Sequence, residues 1–175
     1  MSNILITGVP GIGKTTLIIR ILEELNTDAI GFVTKELRKE GSRYGFIIET
    51  LSGTSRVLAS KEEKPCKYRV GRYCTYVENV DYIVEVLQKE SNRQSHNLIV
   101  IDEIGKMELF SSSFKKFLLD CLNQQKVLGT IMMRDNNFTK EIKTRSDVKI
   151  YNIDKSNRDS LNQIILGEIK DIQGF

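Results

Sequence analysis

The eight residues Gly8-Val9-Pro10-Gly11-Ile12-Gly13-Lys14-Thr15 decide the fold that this chain is expected to adopt. They match the Walker A pattern, in which glycines let successive backbone N–H groups turn inward around phosphates. In that pattern the lysine reaches the β- and γ-phosphates and the threonine hydroxyl binds Mg²⁺. We interpret all three glycines as positions of positive φ. The stretch predicts a nucleotide-binding loop, with Lys14 as a catalytic group and Thr15 as a metal ligand.

The flanking sequence supplies the strand and helix that such a loop requires. Ile4-Leu5-Ile6 is continuously apolar, as a buried parallel strand is. After Lys14 the apolar residues recur at helical spacing, from Leu17 to Leu25. A chance match in a glycine-rich turn would lack this strand–loop–helix context, so we interpret the motif as a P-loop.

Alternating strand and helix patterns continue along the chain. A second strand (Ala29–Val33) is followed by a β-rich stretch from Leu37 to Leu58 that glycines punctuate, which is typical of a hairpin or small meander. Further strands and helices alternate to the end of the chain. We therefore predict an α/β fold, a P-loop NTPase with a parallel sheet covered by helices on both faces and a small antiparallel insertion after the second strand. Residues 1–175 are expected to form one domain.

A pair of acids follows the most apolar strand of the sequence. Leu98-Ile99-Val100-Ile101 leads directly into Asp102-Glu103, as a Walker B strand does. Asp102 is expected to hold Mg²⁺ opposite Thr15, and Glu103 to orient and deprotonate the attacking water. We expect the two side chains to point in different directions, because successive residues of a strand face opposite sides of the sheet. The alternative is that both acids begin a solvated turn.

Composition excludes several classes of protein. The 175 residues carry a net charge of +3 without a basic run, so no nucleic-acid partner is expected. No apolar segment reaches the roughly 18 residues of a membrane helix, and no signal peptide is expected. Cys66, Cys74 and Cys121 fit neither a disulfide framework nor a zinc site, and we interpret all three as reduced. We expect a cytoplasmic monomer.

Several stretches resemble one known family. Asp102-Glu103-Ile104-Gly105-Lys106-Met107-Glu108-Leu109 looks like the signature of the thermophile-type small P-loop nucleoside-triphosphatases, which include the cancer-related nucleoside-triphosphatase. Similar stretches cover nearly the whole chain: Gly31–Arg38, Tyr44–Phe46, Val70–Tyr73, Val148–Ile153 and Asn157-Arg158. One position departs from the pattern, because Lys35 stands where many relatives are expected to carry an acid.

The resemblance implies a RecA-like mixed sheet and Mg²⁺-dependent hydrolysis of ATP, GTP, CTP, UTP and TTP to the diphosphate and phosphate. It also implies weak base selection. The triphosphate is then expected on Gly8, Val9, Pro10, Gly11, Ile12, Gly13, Lys14 and Thr15, and against Asp102, Glu103, Ile104 and Gly105.

Other functional assignments stay open. Lys106 and five arginines (Arg38, Arg72, Arg134, Arg145 and Arg158) are candidates to stabilise charge on the γ-phosphoryl group. A nucleotide or small-molecule kinase and a nucleotide-dependent switch are alternatives to hydrolysis. Glu103, which suits activation of water, and the lack of an arginine-rich lid segment favour hydrolysis.

Overall fold

One mixed sheet organises the molecule. The computed structural model describes residues 2–61, 65–93 and 95–173, with the side chains described as far as residue 170. Within these residues nine strands form the sheet and five helices flank it.

The elements follow one another as the alternation predicts. The strands are Asn3–Thr7 (β1), Ala29–Lys39 (β2), Ser42–Thr50 (β3), Ser55–Ser60 (β4), Arg69–Val70 (β5), Tyr73–Thr75 (β6), Leu98–Ile104 (β7), Val127–Ile131 (β8) and Val148–Asn152 (β9). The helices are Lys14–Leu25 (α1), Val77–Arg93 (α2), Ser112–Asn123 (α3), Asn137–Lys143 (α4) and Arg158–Gln173 (α5). A 3-10 turn covers Glu108–Phe110.

The strand order is β5-β6-β4-β3-β2-β7-β8-β1-β9. The five strands from β2 to β9 in this order pair in parallel, and the others add antiparallel strands outside β2. The predicted α/β class, RecA-like sheet and antiparallel insertion are confirmed. The insertion is larger than the sequence suggested, because β2 extends to Lys39 and pairs with β3 over most of that length. The antiparallel strands therefore extend the same sheet.

The two faces of the sheet carry separate hydrophobic layers. α1 and α5 pack on one face, where Leu17, Ile18 and Ile165 meet Leu98 and Val100. α2 and α3 pack on the other face. Successive residues of β7 alternate between the layers, so β7 is buried on both sides, as its continuous apolar run predicted. None of the helices in the described ranges has the length and apolar character needed to cross a membrane.

Gly31 permits the close pairing of β2 with β7. Its φ is +137°, and a Cβ atom there would lie 1.9 Å from the backbone oxygen of Val100. We expect Gly31→Ala to lower the free energy of unfolding by more than about 2 kcal/mol, since it combines a strained backbone with a steric clash. Urea denaturation of the purified variant measures this.

Gly167 provides the matched control. It lies in α5, and a Cβ atom placed on it would meet nothing within 4 Å. Gly167→Ala is therefore expected to leave stability unchanged or to raise it by about 0.5–1 kcal/mol. Equal stability of the two variants would show that the β2–β7 pairing does not depend on Gly31.

The cysteine prediction is wrong for two of the three residues. Cys66 and Cys74 form a disulfide, with Cα atoms 5.8 Å apart, whereas Cys121 is a buried free thiol. The pairing of β5 with β6 places Arg69 opposite Cys74 and folds the preceding segment back beside it. Sequence spacing alone did not reveal this pairing, because it depends on that hairpin.

Candidate functional site

The P-loop lies between β1 and α1, at the carboxyl edge of the parallel strands. α1 begins at Lys14, and its N-cap is Gly13, which offers no capping side chain. Its first turn also lacks an acidic residue. The N–H groups at this helix end are therefore available to an anion, and the helix dipole adds positive potential.

The glycines of the loop act in two different ways. Gly11 and Gly13 have φ values of +77° and +109°, as predicted. Gly8 does not have a positive φ, which corrects the sequence interpretation. A Cβ atom on Gly8 would instead lie 2.6 Å from the backbone oxygen of Ile153. Gly8 therefore lets the P-loop pack closely against the segment that follows β9.

The Lys14 ammonium group lies over the loop. Its Nζ donates to the backbone oxygen of Gly8 at 3.0 Å and to that of Val9 at 3.3 Å. The side chain is thus held at the mouth of the loop, where the pattern places the β- and γ-phosphates.

A bulge at the end of β7 presents the acid pair. Ile101 pairs with Gly129 and Ile104 with Ile131, so β7 has one residue more than β8 between these pairs. Asp102 and Glu103 occupy this bulge, and the peptide bond between them is cis. We predicted that the two side chains would point to opposite faces of the sheet, as they do in a regular strand. The bulge interrupts that alternation, and the charge of Lys14 acts on both carboxyl groups.

Asp102 is buried and only partly satisfied. Thr130 Oγ1, from β8, donates to its Oδ1 at 2.6 Å. Its Oδ2 has no hydrogen-bonding partner among the described residues. Burial raises the pKa of Asp102 above its usual value, while Thr130, the Thr15 hydroxyl and the backbone N–H of Thr34 counteract that rise. Neither Thr130 nor Thr34 was singled out from the sequence, because strand pairing brings them to the site.

Glu103 lies beside Asp102 and is half-buried. Burial raises its pKa, the charge of Lys14 lowers it and the charge of Asp102 raises it. A carboxylate whose pKa is raised towards neutrality is a better proton acceptor than an ordinary glutamate.

Sequence reasoning missed a third acid at this site, Glu108. It begins the 3-10 turn and is only 3% exposed. Burial, followed by the charge of Glu103, raises the pKa of Glu108 to about 8. Its place among apolar neighbours, between Met107 and Leu109, is the signal that could have identified it as buried.

The arrangement fits Mg²⁺. Among the described residues no group of three or more acidic, histidine or cysteine side chains forms a metal cage. Magnesium that is bound with phosphates takes one or two carboxylates and keeps waters, so it does not need such a cage. The unpartnered Asp102 Oδ2, with the Thr15 hydroxyl near the same carboxylate, offers the expected oxygen ligands.

The raised carboxyl pKa values predict how stability depends on pH without metal. Because the folded protein retains a proton on Glu108 up to a pKa of about 8, it binds more protons than the unfolded chain above about pH 4.5. Stability should therefore fall on the order of a few kcal/mol as the pH rises from about 5 to 8. Mg²⁺ should raise the Tm more at pH 8 than at pH 5, since its carboxylate ligand must be ionised.

Calorimetry from pH 5 to 8, with and without Mg²⁺, measures both effects. Glu108→Gln is the matched variant, and its metal-free Tm should decline less over this range. A wild-type Tm that rises with pH in EDTA would contradict the assignment.

The segment after β9 lies against the P-loop. Asp154 Oδ1 accepts from the backbone N–H groups of Ser156 and Asn157 and from Ser156 Oγ. Arg158, which begins α5, has its Cδ 3.9 Å from the position of a Cβ atom on Gly13. Of the arginine candidates, Arg158 is thus placed beside the phosphate loop.

Three of the other candidates have different surroundings. Arg38 pairs with Glu36 on β2, and Arg145 pairs with Asp147 in the loop before β9. Lys106 is exposed on the turn after β7. Ile104 packs in the core, so its side chain does not line the loop.

Comparison with known proteins gives a consistent result. The family model described as NTPase matches residues 3–166. Nucleoside-triphosphatase THEP1 of Thermotoga sp. (strain RQ2) is 43% identical over 169 residues, which is 96% of this chain and 95% of that protein. The cancer-related nucleoside-triphosphatase of Homo sapiens is 36% identical over 174 residues, covering 91% of this chain and 92% of that one.

Two solved structures share the fold. The crystal structure of THEP1 from the hyperthermophile Aquifex aeolicus has a TM-score of 0.84 at 36% identity, and the match covers 97% of this chain and 99% of that one. The solution structure of a human cancer-related nucleoside triphosphatase has a TM-score of 0.83 at 34% identity, with 98% of each chain covered. The resemblance predicted from the signature is thereby confirmed, and the chain belongs to the nucleoside-triphosphatase family that contains these proteins.

Proposed function

We propose that this chain hydrolyses nucleoside 5′-triphosphates to the diphosphate and phosphate, with Mg²⁺ as cofactor. The observation that carries the proposal is the meeting of two distant segments at one edge of the sheet. The Thr15 hydroxyl of the P-loop lies near the Asp102 carboxylate of β7. The Lys14 charge acts on Asp102 and on Glu103.

The P-loop residues bind and orient the triphosphate in this proposal. Backbone N–H groups of the loop between Gly8 and Thr15 donate to phosphate oxygens, as in other anion-binding nests, with the exception of Pro10, which has no N–H. Lys14 exchanges its contacts with the Gly8 and Val9 carbonyls for the β- and γ-phosphates. This holds the γ-phosphorus in front of Glu103.

Glu103 activates the attacking water in this proposal. Its carboxylate orients a water molecule in line with the γ-phosphorus and accepts a proton from it. The new bond joins the water oxygen to the γ-phosphorus. The bond from that phosphorus to the bridging oxygen breaks, and the nucleoside diphosphate leaves with the bond electrons.

Asp102 and Thr15 would hold the magnesium ion. When bound, Mg²⁺ neutralises charge on the β- and γ-phosphate oxygens. Thr130 fixes the Asp102 carboxylate through its hydrogen bond to Oδ1 and leaves Oδ2 free to act as a ligand. Such fixing of a ligand by an outer neighbour is common in metal sites.

Weak base selection belongs to the same proposal. The segment Asp154–Arg158 lacks the Asn-Lys-x-Asp pattern that reads guanine. The Asp154 carboxylate is engaged with Ser156 and Asn157 inside the segment. We expect ATP, GTP, CTP, UTP and TTP to be accepted by a monomer that needs no nucleic acid.

A phosphate-release panel tests the proposal. Each of the five triphosphates is incubated with the enzyme and Mg²⁺, with and without candidate acceptors such as nucleoside monophosphates. We expect release from all five without an acceptor, and loss of release in EDTA. Consumption of triphosphate that requires an acceptor would identify a kinase. Tight binding without turnover would identify a switch module.

A further inference from the structure

Glu108 is a buried acid at the site that the proposed mechanism leaves without a role. Its exposure is 3%, although burying a carboxyl group is unfavourable unless it has a specific environment. Glu108 lies on a turn that leaves β7 directly after the acid pair. Its position therefore calls for an explanation beyond packing.

Gly105 brings Glu108 and Glu103 together. A Cβ atom placed on Gly105 would lie 2.9 Å from Glu108 Oε2 and 3.3 Å from both Cγ and Cδ of Glu103. Both side chains thus pack against the same side of one glycine. The Cβ atom of any other residue at position 105 would lie within 3.3 Å of both glutamate side chains.

Glu108 is itself held firmly. The backbone N–H groups of Gly105 and of Glu108 lie near its carboxyl group and lower its pKa, against the larger effect of burial. The N–H of Leu109 donates to the carbonyl of Gly105, and that of Ser111 to the carbonyl of Glu108. Phe110, the last residue of the turn, packs on the Tyr68 ring with centroids 5.0 Å apart.

Glu103, by contrast, is half-buried, and its carboxyl group ends a side chain with three rotatable bonds. A proton acceptor must be kept within hydrogen-bond reach of the attacking water, so a fixed neighbour increases its effectiveness. Burial also keeps the carboxyl group of Glu108 largely protonated at neutral pH, with a pKa of about 8, so it adds little repulsion against Glu103.

We propose that Glu108 is a positioning residue for Glu103: packed across Gly105, it confines the Glu103 carboxylate to the orientation in which it receives the proton of the attacking water. This inference rests on the proposed hydrolysis through Glu103. Glu108 itself does not touch the reacting atoms.

The test is a double-mutant cycle of Glu103→Gln and Glu108→Ala, measured as kcat and KM for ATP with Mg²⁺. Glu108→Ala alone should lower kcat about 10- to 100-fold with KM nearly unchanged, as loss of an orienting neighbour does. In the Glu103→Gln background the same change should have little further effect, because the group that it positions can no longer accept a proton. Glu141→Ala, on the exposed side of α4, is the matched control and should leave kcat unchanged.

Glu108→Gln separates positioning from direct proton transfer. The amide keeps the shape of a protonated carboxyl group, so kcat should stay within about threefold of wild type. A loss as large as that of Glu108→Ala would overturn the proposal and make Glu108 a proton carrier. Equal losses from Glu108→Ala in both backgrounds would also overturn it.

Folding and the parent mechanism are checked separately. Where Glu108→Ala has a lowered Tm or no nucleotide binding, Glu108→Asp takes its place in the cycle, since it shortens the side chain by one carbon and should give the same pattern. If Glu103→Gln by itself leaves kcat at the wild-type value, the proposed hydrolysis through Glu103 fails. If Glu103→Gln does lower kcat, and the losses from the two substitutions simply add, the proposed hydrolysis stands and only the positioning role of Glu108 is refuted.

Discussion

Replacing Glu103 by Gln is expected to lower kcat for phosphate release about 10²- to 10⁴-fold, the usual contribution of a general base. Gln has the size and shape of Glu but cannot take a proton from water. Burial raises the pKa of Glu103, which makes the native carboxylate a stronger proton acceptor than an ordinary glutamate. Steady-state phosphate release with each triphosphate measures the change.

Binding should respond differently from turnover. Glu103 is proposed to contact the attacking water, so Kd for a non-hydrolysable triphosphate should stay within a few-fold of wild type. Glu141→Gln, an exposed substitution on α4, should leave both quantities unchanged. Phosphate release by Glu103→Gln at the wild-type rate would show that another group activates water.

Replacing Lys14 should lower turnover about as much as replacing Glu103 does, and it should weaken triphosphate binding more than that replacement does. Lys14→Ala is expected to reduce kcat/KM at least about 10²- to 10³-fold, the loss typical of one preorganised charge donor. Unlike Glu103, Lys14 contacts phosphates both before and during the reaction, so KM should also rise. Calorimetric titration with a triphosphate analogue separates the two effects.

Stability must be measured alongside, because Lys14 also donates to the carbonyls of Gly8 and Val9. Lys14→Arg keeps the charge but replaces a compact ammonium with a planar fork, so it should recover little activity. Lys116→Ala, at an exposed site on α3, is the control. Full activity of Lys14→Ala would be incompatible with a P-loop enzyme.

Local sequence patterns were sufficient to predict the fold class and to single out the P-loop and the acid pair as candidates for the site. The spacing of Gly8, Gly13 and Lys14 is set by the geometry of a short loop that wraps around phosphates. That geometry does not depend on distant parts of the chain. The apolar run before Asp102 likewise identified a strand buried on both faces. The order of strands and helices followed from the periodicity of their apolar residues.

Features that depend on strand pairing could not be predicted in this way. The bulge at Asp102-Glu103 depends on the partner strand, because β8 has one residue between Gly129 and Ile131 where β7 has two. Thr130 reaches Asp102 only because β8 lies between β7 and β1 in the sheet. The bond between Cys66 and Cys74 similarly requires the β5–β6 hairpin.

Glu108 illustrates a further limit. A glutamate in a turn is usually solvated, so its type gives no sign of burial. Its burial becomes evident only in the structure, where Glu108 is 3% exposed and packs with Glu103 against Gly105. The resemblance to the family signature included this residue but assigned it no role.

Hydrolysis of ATP in water enriched with ¹⁸O tests the central claim most directly. Attack of water on the γ-phosphorus predicts that every released phosphate carries a solvent oxygen and that the diphosphate carries none, as mass spectrometry of both products would show. Label in the diphosphate, or unlabelled phosphate, would contradict the proposal that Glu103 directs water to the γ-phosphorus of a triphosphate held on Gly8 to Thr15.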